Sequence, residues 1–185
     1  MKLSPIHIVC FIYSLTSSLT ALGDSDYELD KEERSGFVFD LRVANMPYKS
    51  ERMTGQTSSH GEFVFLDGET ITFSIGNFNF KPVKANEYLS IFKFIDNDNL
   101  IQSVSNLTRL LQAIDIKPDQ TTIVLPNIST IDLSGLDFDQ SPINFSKDPI
   151  IVNLLGALGL DTDLLSNPHV NNHVYSMVTL LQPYN

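Results

Sequence analysis

His169 and His173 stand one helical turn apart, so on a helix both rings project from one face, a spacing that metal sites use. The stretch between them, HVNNH, lacks the glutamate of a zinc hydrolase motif, and neither a cysteine nor an obvious third ligand lies nearby. Two solvated histidines opposite an apolar stripe are the simpler reading. Hard oxygen ligands are more plentiful. Four Asp-x-Asp pairs occur, at Asp24/Asp26, Asp96/Asp98, Asp137/Asp139 and Asp161/Asp163. Carboxylates so spaced can hold calcium at extracellular levels, with Asp96 and Asp98 the best pair. None runs on into the calcium-loop pattern with its glycine and closing glutamate, and helix capping explains such residues without a metal. The expectation is therefore no cofactor, with calcium the one ion the Asp-x-Asp pairs would admit. His60 falls in a turn, where a solvated role is the default. Serines are frequent, yet no G-x-S-x-G elbow accompanies them, so acyl-transfer chemistry has no starting point. Arg109 is placed to join a helix to a sheet by pairing with an acid such as Asp115 or Glu69.

The elements that would position these groups follow from periodicity. Phe37, Phe39, Leu41 and Val43 alternate with Val38, Asp40 and Arg42, which predicts a strand with one buried face beginning at Phe37. Lys49 to Thr54 reads as a polar loop. Gly55 to Gly76 reads as a β-hairpin: Phe63 and Phe65 share a face, Asp67-Gly68 turns the chain, and Ile71, Phe73 and Ile75 share a face opposite Thr70, Thr72 and Ser74. Gly76-Asn77 turns into Phe78 and Phe80, and Tyr88 to Ile95 completes a sheet. Beyond a turn at residues 96–99, which can also cap a helix, Leu100, Val104, Leu107, Leu111 and Ile114 predict an amphipathic helix ending near Asp115. Thr121 to Leu125 is a short strand-like run. A second helix has Asp148 as cap and Pro149 in its first turn, buries Ile151, Leu154, Leu155 and Leu158, and stops at Gly159. A third, from Asn167-Pro168, carries Val170, Val174, Met177, Val178 and Leu181 on one stripe, with the two histidines. Strands first and helices second make the chain α+β, a small antiparallel β-sandwich or sheet followed by a three-helix part.

The N-terminus bears on location. Lys2, an apolar run from Ile6 to Leu15 and small residues up to Gly23 describe a secretory signal peptide, too short to span a bilayer. Cleavage there leaves 162 residues, enough for one domain or two small ones sharing a core, with no transmembrane span. The lone cysteine, Cys10, lies inside the signal; His7-Ile8-Val9 before it lacks the small residue of a lipidation site. The mature chain is then held by its core without disulfides. Removal of Lys2 leaves 11 basic against 22 acidic residues, a net charge of −11 that repels nucleic-acid phosphates and anionic lipid. The expected organisation is signal 1–23, charged tether 24–35, β-module 36–95, and helical part 96–185 packed on it.

Gly55, Thr57, Gly61, Phe63, Phe65, Gly68, Glu69, Ile71, Phe73, Ile75 and Gly76 spell G-x-T-x-x-x-G-x-F-x-Y/F-x-x-G-E/D-x-V/I-x-F-x-I-G. Asn106, Arg109, Leu111, Gln112, Ile114 and Asp115 spell N-x-x-R-x-L-Q-x-L/I-D. With these motifs, the region from Val43 to Leu155 resembles modules of exported Gram-negative lipoproteins and large surface proteins. The first motif also looks like the strands of carboxypeptidase-regulatory-like β-sandwiches. The resemblance implies an exported module without a defined catalytic activity. Relatives often carry a lipobox and an Asp/Gly-rich continuation; here Asp115 is followed by Ile116-Lys117-Pro118. The expectation is a secreted or periplasmic protein, associated with the cell surface in some relatives, that binds an envelope or extracellular macromolecule. The alternatives are a metal-dependent enzyme built on His169 and His173, or the front piece of a longer surface protein.

Overall fold

Alternating apolar residues make the central strands, and glycines and asparagines set where they stop. The computed structural model describes residues 32–162 apart from 39, 97, 119 and 120. The signal segment and the expected third helix, with His169 and His173, lie outside the described residues. In chain order the strands are β1 (Glu33–Val38), β2 (Val43–Ala44), β3 (Pro47–Lys49), β4 (Thr54–Gln56), β5 (Glu62–Leu66), β6 (Thr70–Ile75), β7 (Phe78–Asn79), β8 (Val83–Lys84), β9 (Tyr88–Leu89) and β10 (Ile123–Val124). The helices are α1 (Leu100–Ala113), α2 (Pro142–Lys147) and α3 (Pro149–Ala157), and a 3-10 turn covers Ile91–Lys93. The chain is an α+β protein with mostly antiparallel strands.

The faces expected of β5 and β6 hold: Phe63, Phe65, Ile71, Phe73 and Ile75 are all within 1% of fully buried, while Thr70 is exposed. Their pairing does not. Asp67-Gly68 does make a turn, with Gly68 at φ +83° and the Glu69 N–H donating to the Leu66 carbonyl at 3.1 Å. Yet β5 pairs with β1, and β6 pairs with β3, β7 and β8. The turn therefore carries the chain from one sheet (order β5-β1-β9) to another (order β4-β3-β6-β7), and the Phe63 and Phe73 rings meet edge to face at 5.1 Å. A hairpin is made one turn later: Ile75 pairs Phe78 around Gly76-Asn77, with Gly76 at φ +55°.

Other boundaries move as well. β1 starts at Glu33 and ends at Val38, so Glu33 to Ser35, read as tether, pair with Leu66 to Val64. Its inward residues are Gly36 and Val38, with Phe37 half-buried, one residue out of the expected phase. Gly36 sits so close to the Asn86 carbonyl and the Phe63 ring that a Cβ would come within 2.5 and 2.6 Å of them, which is why a side chain is absent there. Lys49 and Thr54, the ends of the supposed polar loop, are a strand pair, and Ser50 to Met53 is a tight turn.

The helical part was legible in outline. α1 matches its predicted span, and Val104, Leu107, Leu111 and Ile114 are buried. Of the residues 96–99 offered as a cap, Asn99 takes the cap position and makes no side-chain cap bond. Pro149 opens α3, Asp148 Oδ1 accepts from the Ile150 N–H at 2.8 Å, and Gly159 ends the turn at φ +69°. α2, capped by Ser141, was not foreseen.

One core joins strands and helices. Aromatic rings form a line through Tyr48, Phe63, Phe73, Phe94, Phe80, Phe138 and Phe145, each within about 6.3 Å of the next. Leu107 and Leu111 of α1 border the same small void as Val38, Leu41, Val43, Met46, Phe80 and Phe94. β10, which follows α1, pairs in parallel with β2, so the later half of the chain is stitched into the earlier one by backbone as well.

Candidate functional site

Several polar residues of the two motifs prove to be structural. Thr57 is 4% exposed; its hydroxyl donates to the Val43 carbonyl at 2.6 Å and accepts from the Met46 N–H at 2.9 Å. Gly55 packs against the Tyr48 ring, whose hydroxyl accepts from the Val64 N–H. Gly61, at φ +77°, passes close over Arg42 and Val43. Asn106 is fully buried, donating to the carbonyls of Phe138 and Gln140 at 2.9 and 2.8 Å. Asp115 Oδ1 accepts from the N–H groups of Lys117 and Val124, both at 2.9 Å. These groups satisfy buried backbone polarity, a sufficient reason for polar residues in a core. Arg109 lies on α1 and is buried, 8% exposed, among Asn106, Leu110 and other inward residues of that helix. Glu69 is buried too, accepting from the Leu66 N–H through Oε2.

Of the acid pairs, Asp96/Asp98 and Asp137/Asp139 fall among the described residues, and Asp24, Asp26 and Asp163 lie outside them. Asp96 is engaged by Lys81 at 2.6 Å, and both Asp96 and Asp98 are exposed. Asp137 Oδ1 accepts from the Asp139 N–H, the hydrogen bond of a local turn. Among the described residues no three His, Cys, Asp or Glu side chains come together as a metal ion would require. The calcium candidate Asp96/Asp98 is thus an exposed pair, with Asp96 held by Lys81. His60 is exposed, with Ser59 Oγ at 3.2 Å from its Nδ1.

Among the described residues, two of the open clefts are large enough to hold a ligand. One, of about 470 Å³, is lined by uncharged residues including Asn45, Gln56, Ile75 and Asn127. The other, of about 640 Å³, is lined by Arg34, Asp67, Lys84, Asn86, Tyr88 and Lys93, with Lys81 beside them. Its walls come from β1, β8, β9 and the 3-10 turn, all fixed by sheet pairing or core packing. Arg34 pairs with Glu87 and, at 3.6 Å, with Asp67. Lys84 and Lys93 carry no ion pair among the described residues. Tyr88 is 61% exposed, and its ring is held edge-on against Phe37 at 5.0 Å.

Of the site residues drawn from the sequence, Asp96 and Asp98 do not line this cleft, and His169 and His173 lie outside the described residues. A signal was there to be read: Lys81 to Lys93 holds three lysines and a single acid, Glu87, against the chain's overall excess of acids. Searches against protein-family models, curated proteins and solved structures found no match to this chain. Among the described residues no helix is long and apolar enough to cross a membrane.

Proposed function

We propose that the chain is a non-catalytic binding module, exported to the periplasm or the cell exterior, which holds an envelope or extracellular partner at the cleft between β1, β8 and β9. The observation that carries this reading is the cleft's make-up: lysines without an ion pair among the described residues and an exposed tyrosine on rigid walls, in a volume within the roughly 300–1,000 Å³ range of ligand sites. An exposed ring locked by a neighbour costs little further entropy when a partner covers it, which favours recognition. The polar residues that looked chemical (Thr57, Asn106 and Asp115) have backbone partners, which supports a scaffold role for them. Lys2, the apolar run and the small residues ending at Gly23 support export.

N-terminal sequencing of protein recovered from the periplasm or medium should begin at Asp24. Intact Met1 recovered from cytosol would remove the export part. Capture from envelope extracts on the immobilised mature chain should retain a partner without turnover. A hydrolase activity in a broad substrate screen, abolished by a single substitution, would overturn the reading.

A further inference from the structure

We infer that the cleft takes a short acidic saccharide, such as the uronic-acid end of a glycan, an inference that rests on the binding reading above. Four cations line the cleft, Arg34, Lys81, Lys84 and Lys93, against one lining carboxylate, Asp67. Arg34 is occupied by Glu87 and Asp67, and Lys81 by Asp96. Among the described residues, the ammonium groups of Lys84 and Lys93 are therefore the ones left to meet an incoming anion. They do so in a chain whose formal net charge is −10, at a cleft where four cations stand against Asp67, Glu87 and Asp96. A long polyanion would feel that whole, since charges within the Debye length of about 8 Å act together. A ligand of two or three residues meets chiefly the cleft.

The remaining groups select a saccharide over other small acids. Tyr88 offers a flat, exposed ring, held edge-on by Phe37, onto which the apolar face of a pyranose can stack. Asn86 Oδ1 already accepts from the Glu87 N–H, which leaves its two amide protons to donate to hydroxyls. Asp67, largely exposed beside Arg34, can accept from hydroxyls. Ammonium, amide and carboxylate groups around one ring suit a hydroxyl-rich cyclic acid. An extended acidic peptide would instead need a run of backbone partners along the cleft.

The test is calorimetric titration of the full mature chain with trigalacturonate, with neutral maltotriose and with a blocked Glu-Glu-Glu peptide. Trigalacturonate should bind, and the other two should bind at least about tenfold more weakly, a difference of about 1.4 kcal/mol. Lys84→Ala/Lys93→Ala should lose about tenfold and most of the salt dependence, and Lys84→Arg/Lys93→Arg should keep both. Tyr88→Ala should weaken trigalacturonate severalfold. The substituted side chains are exposed, so unchanged urea midpoints are expected and confirm intact folding. No binding up to about 10 mM, equal binding by the double alanine variant, or tighter binding of the peptide would each overturn the inference. If trigalacturonate fails while wild type and double variant capture the same envelope partner, only the cleft and its ligand fall. If nothing is captured, the binding reading falls with it.

Discussion

At the scale of single residues, the polar groups of this chain serve the backbone before they serve anything else. Thr57 shows this best, since one hydroxyl closes a donor and an acceptor that would otherwise be buried unmet. Thr57→Val keeps the shape and removes both bonds, so the urea midpoint should fall by the equivalent of about 1–3 kcal/mol with an unchanged slope; Thr57→Ser should recover most of it. Asp132 acts from the surface. Its carboxylate accepts from Asn77 Nδ2 at 2.7 Å and from the Ser134 N–H at 2.9 Å, and these bonds, Asn77's first, lower its pKa from 3.8 to about 2. A depressed carboxyl pKa means stability that is present above the unfolded value and lost as pH falls through the folded one. The difference between wild type and Asp132→Asn in chemical denaturation should therefore hold from neutral pH to about 4 and shrink between about 4 and 2. A constant difference across that window would remove Asp132 from the acid response. Little of this was legible in the sequence, because a threonine that staples backbone and one that touches a ligand have the same type and no distinguishing spacing.

At the scale of elements, the strands β5 and β6 and the helices α1 and α3 were readable and the partners of those strands were not. Burial alternates along β5 and β6 as the phenylalanine and isoleucine spacing requires. That spacing is the same whether the strands pair with each other or face each other across a core, and Asp67-Gly68 serves either turn. Only long-range pairing, with β1 arriving from upstream, decides it. α1 gives the converse lesson. Its sequence shows an apolar stripe and a polar remainder, yet Ser103, Asn106, Thr108 and Arg109 are buried as well. The segment around Phe138 to Gln140 lies over that side and hydrogen-bonds Asn106, and no local periodicity announces such a cover. The register of β6 gives a direct check. Phe73 is 1% exposed and touches rings from β3, β5 and the segment at Phe94, while Thr72 points away from that core. Phe73→Ala should cost about 3–5 kcal/mol and Thr72→Ala well under half of that. Equal shifts of the urea midpoint would mean that the strand is one residue out of register.

At the scale of the whole molecule, the boundary expected between a β-module and a helical part does not separate two cores. The buried cluster runs from Val38 through Phe94 and α1 to Leu155 of α3, and the line of rings crosses from β3 to α2 without interruption. The backbone agrees, because Ile123 and Val124 complete a ladder begun by Val43 and Ala44. Composition hides this: strands and helices alternate little along the chain, which looks like two modules, and a shared core arises only from which faces meet. Neither part can shed the other without exposing large apolar side chains such as Phe80, Leu107 and Leu111, all at most 4% exposed. Unfolding should therefore be a single transition. Tyrosine fluorescence of a Tyr27→Phe/Tyr175→Phe/Tyr184→Phe background, which in the mature chain keeps only Tyr48 and Tyr88 of the strand region, and the helical band of circular dichroism, to which α1 and α3 contribute, should give the same urea midpoint. Leu107→Ala, whose side chain belongs to the helix and whose neighbours belong to the strands, should lower both midpoints together, by about 2–5 kcal/mol. If the dichroism midpoint fell while the fluorescence midpoint stayed in place, the strands would have a core of their own.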